Sequence, residues 1–221
     1  MSAFPVPPDE LCRRYTELFT AAINDVLRTR GLVDQALPHE IRPLRDEMKV
    51  AGFAFTVSGE KNRDGADDMP ERAAMLEAIG PDMVCVWETG HDDESAQWGE
   101  VMTMAAKRQG CRGAVVDGGV RDTDKVLSQD FPTFVRYRSS NGMKGRFRIT
   151  SWQERISIGG VSIAPGDVIV ADIDGVIVVP RALAYDVLVE AEQVRRNEVG
   201  IKEMISDGAT PRDVVERGGY F

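Results

Sequence analysis

Apolar residues recur along this chain at two different spacings, and the alternation between them outlines its secondary structure. Residues 9–30 carry apolar positions at helical spacing up to Gly31, which predicts one or two amphipathic helices. Helical spacing returns at residues 70–79 and 98–109. Short apolar runs of the kind that form buried strands lie at residues 49–58, 82–88, 113–116 and 131–137. Gly59 closes the first of these runs.

The segment from residue 82 to residue 116 has the order strand, acidic loop, helix, strand. This order is a βαβ unit, which predicts a parallel pair of strands joined by a right-handed crossover. A β-rich stretch with an Asp174-Gly175 hairpin signal follows, and then a long helix from Arg181 to about Ser206. We therefore predict an α/β fold in a single domain, with a mixed sheet, flanking helices and a long C-terminal helix. Its predicted parts are an N-terminal helical segment (1–48), a β/α core (49–180) and C-terminal helices (181–221).

The stretch GAVVDGGVRD, at residues 113–122, places Arg121 beside Asp122 just after an apolar run. An apolar run that ends in Asp-Gly-Gly predicts a strand that turns sharply at the edge of the sheet. Charged residues past such a strand end lie where α/β proteins bind ligands. The helix that begins near Gly99-Glu100 belongs to the same βαβ unit. We expect its N-terminus, which attracts anions, at the same edge.

Arg121 and Asp122 together suit an α-keto acid and a divalent ion. A guanidinium matches the planar geometry of a carboxylate, and a neighbouring carboxylate can hold a metal directly or through water. A metal on the keto oxygen would stabilise an enolate, the intermediate that aldol cleavage and β-decarboxylation share. The alternative remains open, because neighbouring Arg and Asp residues in a turn often form an exposed pair of little energetic value. Glu100 also has an ordinary explanation, since acidic residues favour the first turn of any helix.

Composition narrows the possible chemistry. The 221 residues carry a net charge of -9 with a pI near 4.9, which weighs against a nucleic-acid-binding surface. The chain holds only His39 and His91, so carboxylates would have to carry any metal chemistry, which favours Mg²⁺ or Mn²⁺. A group of basic residues predicts a solvated loop: Arg136, Arg138, Lys144, Arg146 and Arg148.

Compartment signals point to a cytoplasmic protein that does not contact membranes. The three cysteines show no CxxC spacing, so neither a disulfide framework nor a zinc site is indicated. The N-terminal residues lack the apolar centre of a signal peptide, and no apolar run approaches the roughly 20 residues of a membrane span.

Two long runs, WGEVMTMAAKRQGCRGAVVDGGVRDTDKV and IGGVSIAPGDVIVADIDGVIVVP, resemble the RraA-like family. That family includes the regulator of ribonuclease activity A and the class II 4-hydroxy-4-methyl-2-oxoglutarate aldolases. AAINDVLRTRG and GFAFTV resemble it as well, so the likeness spans most of the chain. The resemblance implies a swivelling β/β/α-type fold, and homotrimers or homohexamers with active sites at subunit interfaces. It also implies an aldolase activity that depends on Mg²⁺ or Mn²⁺.

The same resemblance assigns roles to individual residues. It places the pyruvyl group on Arg121 and the metal on Asp122. Gly99 and Asp117, which lie in the two loops of the βαβ unit, are further candidates for substrate binding. The backbone amides around Val101 and Met102 would contact the substrate carboxylate. Glu100 stands where the aldolases have Asp, and would hold metal-bound water or relay a proton. Glu198 of a neighbouring subunit would complete the site, although the same helix offers further carboxylates at Glu190, Glu192 and Glu203.

The resulting expectation is a divalent-metal-dependent lyase acting on a pyruvate-containing substrate by retro-aldol cleavage or decarboxylation. One alternative is a non-catalytic regulator that binds a ribonuclease complex. Another is a hydro-lyase or isomerase on a sugar-acid-like substrate, because Glu100 departs from the aldolase pattern. We expect the loop at 58–70 and the acidic run at 90–96 to shape the far side of the pocket. An acidic rim there would favour a substrate smaller or less charged than a tricarboxylate.

Overall fold

The computed structural model describes residues 4–65 and 67–219, and it contains a helix or a strand at each of the apolar runs described above, together with further short elements between them. The helices are α1 (Pro8–Thr16), α2 (Thr20–Thr29), α3 (Met69–Ala78), α4 (Glu100–Arg108), α5 (Thr123–Leu127), α6 (Ala184–Ser206) and α7 (Pro211–Glu216). The strands are β1 (Arg42–Pro43), β2 (Val50–Lys61), β3 (Met83–Glu88), β4 (Ala96–Trp98), β5 (Gly113–Val120), β6 (Thr133–Arg138), β7 (Phe147–Trp152), β8 (Ile156–Ile158), β9 (Val161–Ile163), β10 (Val168–Asp172) and β11 (Gly175–Val179).

One mixed sheet organises the domain, in the order β1-β6-β5-β3-β2-β10-β11. Its central strands β2, β3, β5 and β6 are parallel, and β10 and β11 form the antiparallel hairpin that Asp174-Gly175 predicts. The βαβ prediction is also confirmed, since β3 and β5 pair in parallel around α4. Strands β8 and β9 form a separate two-stranded sheet.

Strand β2 is longer than the sequence pattern predicts. It continues through Gly59 to Lys61, so the expectation that Gly59 ends it is wrong. Its first half pairs with β10 and its second half with β7. A side chain on Gly59 would overlap the ring of Phe147 on β7. The glycine therefore permits close pairing and does not mark a turn.

Strand β5 shows the same effect at Asp117-Gly118-Gly119. These residues stay in the strand, which runs to Val120, so the predicted sharp turn is wrong. The pairing with β6 shifts register between Val116 and Gly119. A β-carbon on Gly119 would lie 2.5 Å from the ring of Tyr137, and one on Gly118 would overlap the side chain of Gln97. In both cases a residue from a neighbouring part of the sheet lies too close for a side chain, which explains why both positions are glycine.

Two hydrophobic clusters cover the sheet. The larger contains buried residues of the central strands together with Met75 of α3, Ala106 of α4 and Val126 of α5. The smaller packs α1, α2 and α6 against β10, β11 and the start of β2. No helix in the described ranges combines the length and apolar character that a membrane span requires.

The basic residues between 136 and 148 do not form the single solvated loop that the sequence suggested. Arg136 lies on β6 with its side chain only 13% exposed. Arg148 lies on β7 and pairs with Glu60 at 2.7 Å and with Asp64 at 3.0 Å. Strand pairing has separated residues that are close in sequence.

Asp172, at the end of β10, joins the sheet to the start of α2. It is 3% exposed and accepts hydrogen bonds from the backbone N–H and the hydroxyl of Thr20, both at 2.8 Å. The backbone N–H of Asp174 donates a third at 3.0 Å. A carboxylate distant in sequence thus caps the helix, since the N-terminal residues of α2 supply no capping side chain.

We expect Asp172→Ala to lower the free energy of unfolding by about 2–3 kcal/mol, because buried donors would lose a charged acceptor. Urea denaturation measures the change. Asp174→Ala, an exposed position in the same hairpin, is the matched control and should change stability by less than about 0.5 kcal/mol. Equal effects of the two substitutions would contradict the capping role.

Candidate active site

Arg121 and Asp122 follow the last residue of β5. The backbone N–H of Arg121 donates to the carbonyl of Trp98 on β4 at 3.0 Å, which fixes where the pair leaves the sheet. Asp122 has left-handed backbone angles (φ 52°, ψ 37°) and is the N-cap residue of α5. Asp tolerates this conformation better than most residues. The Arg121 Nε lies 3.3 Å from Asp122 Oδ2, and the two side chains are 51% and 44% exposed.

Gly99 brings the start of α4 against this pair. It is the N-cap of α4 and has an extended backbone. A β-carbon built there would lie 3.3 Å from Arg121 Cγ and 3.3 Å from Asp122 Oδ2. The expectation that the two loops of the βαβ unit meet at one sheet edge is therefore confirmed by geometry.

The first turn of α4 contributes backbone donors. Glu100 is its first residue, followed by Val101 and Met102, and no side chain in the described part of the chain caps this end. The side chain of Val101 is 73% exposed. Free N–H groups and the positive end of the helix dipole lie close to the aliphatic part of Arg121 and to the Asp122 carboxylate, and the Arg121 side chain adds a positive charge, so this edge can hold an anion.

The carboxylates near this edge are those of Asp122 and Glu100, which are hard oxygen donors of the type that Mg²⁺ and Mn²⁺ prefer. The Asp122 side chain makes no capping bond to α5, so its oxygens are open to a further partner besides Arg121. Among residues 4–65 and 67–219, no group of three or more His, Cys, Asp or Glu side chains is arranged as a metal site. A metal held here would complete its coordination with water, substrate or another chain.

Glu198 does not join this group within one protomer. It lies on α6, 26% exposed, with the Lys202 ammonium 3.4 Å away. Helix α6 packs with α1 and α2 in the smaller cluster, whereas α4 belongs to the larger one. Over the described ranges, no hydrogen bond or ion pair links Glu198 to Arg121 or Asp122.

Asp117 lies in a second polar group, on neighbouring strands of the same sheet. Its carboxylate is 3.7 Å from Arg136 Nε, and Arg136 Nη2 is 3.1 Å from His91 Nε2. On the adjacent strands β2 and β3, the Glu88 carboxylate accepts a hydrogen bond from the Ser58 hydroxyl at 2.7 Å. Burial raises the pKa of the Asp117 carboxyl above its ordinary value, while Arg136 acts in the opposite direction.

The acidic run at 90–96 is divided between surface and interior, since Asp93 and Glu94 are 72% and 61% exposed whereas Asp92 is internal. Asp92 is 1% exposed and accepts from the Ser95 backbone N–H at 3.0 Å and from Gln97 Nε2 at 2.7 Å. Gln97 Oε1 in turn accepts from the Gly119 N–H at 2.9 Å. This network supports the irregular end of β5 just before Arg121. Sequence reasoning missed Gln97, because a lone glutamine has no distinguishing pattern.

A model of the family described as "RraA-like: Aldolase/RraA" matches residues 20–178. The chain belongs to the RraA-like family.

Curated relatives of this RraA-like chain include a provisionally named 4-hydroxy-4-methyl-2-oxoglutarate aldolase of Halalkalibacterium halodurans. It is 34% identical over 188 residues, which cover 85% of each protein. Protein DlpA of Legionella pneumophila is 30% identical over 191 residues, 86% of this chain. The chain spans only 31% of the length of DlpA.

Solved structures give the same fold. One crystal structure, described as that of novel cellulases from microbes associated with the gut ecosystem, contains a chain that is 48% identical in sequence to this one. Its TM-score is 0.87, and the match covers 90% of each chain. Streptomyces coelicolor RraAS2, described as an unusual member of the RNase ES inhibitor RraA family, is 26% identical. Its TM-score is 0.82, covering 90% of this chain and 99% of that one. The α/β fold with a mixed sheet and a long C-terminal helix is thus that of the RraA-like family.

The raised pKa of Asp117 predicts how the stability of the protein depends on pH. Because the folded protein holds this proton more readily than the unfolded chain does, the stability due to Asp117 falls as pH rises from 3.8 through the raised value. We expect the unfolding free energy of wild type relative to Asp117→Asn to decrease as the pH is raised from about 4 towards neutrality. Urea titrations across this range measure it. A difference that grows with pH would instead indicate a lowered pKa and a dominant Arg136 ion pair.

Proposed function

We propose that the protein is a divalent-metal-dependent lyase that acts on a pyruvate-containing keto acid, by retro-aldol cleavage or by oxaloacetate-type decarboxylation. The observation that carries the proposal is the convergence of Arg121, Asp122 and the start of α4 around Gly99. The aldolase names of curated relatives support the same class of reaction.

In this proposal the substrate carboxylate binds between the Arg121 guanidinium and the N–H groups of Val101 and Met102. Two positively polarised elements facing one carboxylate would hold the pyruvyl end in a fixed orientation. Bond cleavage then leaves electron density next to the keto group. Orientation by Arg121 keeps the breaking bond aligned with the keto group that accepts this density.

Asp122 would hold Mg²⁺ or Mn²⁺, and Glu100 would bind it or orient a water molecule. Such an ion supplies Lewis-acid polarisation of the keto oxygen. Glu100 is longer by one methylene than the Asp that the aldolases carry, so a contact through water suits it. Glu100 is the first residue of α4, directly after Gly99, and from this position its carboxylate would hold or return a proton at the substrate.

We also propose that the active site forms between subunits of a homotrimer or homohexamer. The half-exposed Arg121 and Asp122 support this, because a lyase that generates a carbanion benefits from a site closed to water. Val101 and Met104, on the same helix, are 73% and 57% exposed, which suits a surface that another protein covers. Glu198 of the adjoining subunit would then complete the site.

The decisive assay is oxaloacetate decarboxylation with Mg²⁺ or Mn²⁺. We expect Arg121→Ala and Asp122→Asn each to lower kcat/KM by about 100-fold or more, since each removes a contact to the reacting groups. Asn suits the left-handed backbone at 122, so that variant changes charge with little strain.

Arg13→Ala is the matched control, because Arg13 is an exposed arginine of α1 paired with a glutamate one turn further along. It should keep wild-type activity. Equal turnover by Arg121→Ala and wild type would remove Arg121 from the reaction. Turnover independent of added metal and of chelator would overturn the metal proposal.

A non-catalytic regulator is the second candidate, favoured by the likeness to the Streptomyces member of the RNase-inhibitor family. The net charge of -9 would suit a basic protein partner. Metal binding separates the two candidates, because a protein that binds only another protein needs no metal at Asp122.

We expect Mn²⁺ with oxalate, which mimics the pyruvate enolate, to stabilise wild type by about 2.7 kcal/mol at 100 times the dissociation constant. A thermal shift assay measures this stabilisation. It should be much smaller in Asp122→Asn and unchanged in Asp124→Asn, an exposed carboxylate two residues away. No shift in wild type would favour the regulator.

The cellulase description belongs to the 48%-identical structure, and Asp117 gives no support for carrying it over to this chain. Glycoside hydrolysis requires two carboxyl groups facing one glycosidic bond, the acid among them with a raised pKa. Asp117 has a raised pKa, but its side chain is 8% exposed and paired with Arg136, so a polysaccharide could not reach it.

A further inference from the structure

The side chain of Arg121 lies between two glycines. Gly99, at the start of α4, borders its aliphatic part, since a β-carbon on Gly99 would lie 3.3 Å from Arg121 Cγ. Gly142 borders the guanidinium on another side. A β-carbon on Gly142 would overlap Arg121 Nη1 and would lie 3.3 Å from Cζ and 3.9 Å from Nε. The guanidinium therefore occupies the space that any side chain at position 142 would need.

Gly142 belongs to the connection between β6 and β7, which is attached to the same strands that hold Arg121. The carbonyl of its neighbour Asn141 accepts from the Ala96 N–H of β4 at 2.7 Å, and Ala96 and Gly142 form a parallel bridge. The Ser139 N–H donates to the carbonyl of Val120 at the end of β5 at 2.9 Å. Since β4 also binds the backbone of Arg121, the backbones of residues 121 and 142 share one rigid support.

Backbone conformation does not require glycine at position 142. Its φ lies outside the left-handed region, unlike that of Gly145 in the same connection, where φ is +71°. An L-residue could adopt the Gly142 backbone without strain. Space for the guanidinium is the remaining reason for a glycine here.

We propose that Gly142 is a positioning residue. Because it has no side chain, the Arg121 guanidinium can occupy the adjacent space and point toward the substrate. This inference rests on the proposed function, in which Arg121 anchors the substrate carboxylate. Nη1 is the far end of a flexible side chain, so an added methyl group would displace the guanidinium and leave the fold intact. Gly142 thus acts through Arg121 and does not touch the substrate.

The test compares wild type with Gly142→Ala, with Arg121→Ala and with the double variant. We expect Gly142→Ala to raise the KM for oxaloacetate about tenfold or more, with a smaller change in kcat and an unchanged unfolding midpoint. In the Arg121→Ala background the same substitution should have no further effect, because no guanidinium remains to be displaced. Ser140→Ala, at an exposed position in the same connection, should behave as wild type.

A crystal structure of Gly142→Ala supplies a readout that does not depend on activity. We expect the guanidinium to have moved off residue 142 while the backbone from 139 to 143 stays in place. A guanidinium that remains in position, or a wild-type KM in Gly142→Ala, would overturn the inference even if Arg121→Ala is inactive. A displaced guanidinium together with a fully active Arg121→Ala would instead overturn the proposed function and leave the packing relation standing.

Discussion

Pairing between β4 and the end of β5 determines where the candidate active site lies. The carbonyl of Trp98 accepts from the Arg121 N–H, and Ala96 pairs with Gly119, so both loops of the βαβ unit leave the sheet together. Strands can approach this closely only because Gly119 has no side chain and because Gln97 supplies an acceptor for its N–H. Helix α4 begins directly after β4, and its N-terminus is thereby held against the Arg-Asp pair.

Buried carboxylates support this arrangement from inside the protein. Asp92 binds the Ser95 and Gln97 donors, Asp117 lies beside Arg136, and Asp172 caps α2. Each is less than a tenth exposed, so an unsatisfied charge at any of them would be costly. The acidic composition of the chain is therefore only partly a property of its surface. Asp92, which belongs to the acidic run expected at the pocket, serves instead to hold the loop before β4 in place.

The candidate site differs from these internal groups in that its side chains are exposed to solvent. Arg121 and Asp122 remain about half exposed, and Asp122 has a left-handed backbone. Proteins tend to place such uncommon conformations where function requires a particular side-chain direction. A sheet edge that ends in two half-exposed, opposite charges is chemically suited to a small polar ligand.

Sequence alone determined the longer helices and the central strands, the parallel βαβ unit, the β10–β11 hairpin and the proximity of Gly99 to Arg121-Asp122, but it missed β4, which contains Trp98, and β7. Apolar periodicity and chain connectivity are local properties, and they suffice for these features. Tertiary structure decided the roles of the glycines, because Gly59, Gly118 and Gly119 read as turns until the side chains across from them are known. It likewise decided that Asp92 is internal and that Gly142 borders Arg121. Such contacts join residues far apart in sequence, and their geometry depends on strand register, which no local pattern of residue types specifies.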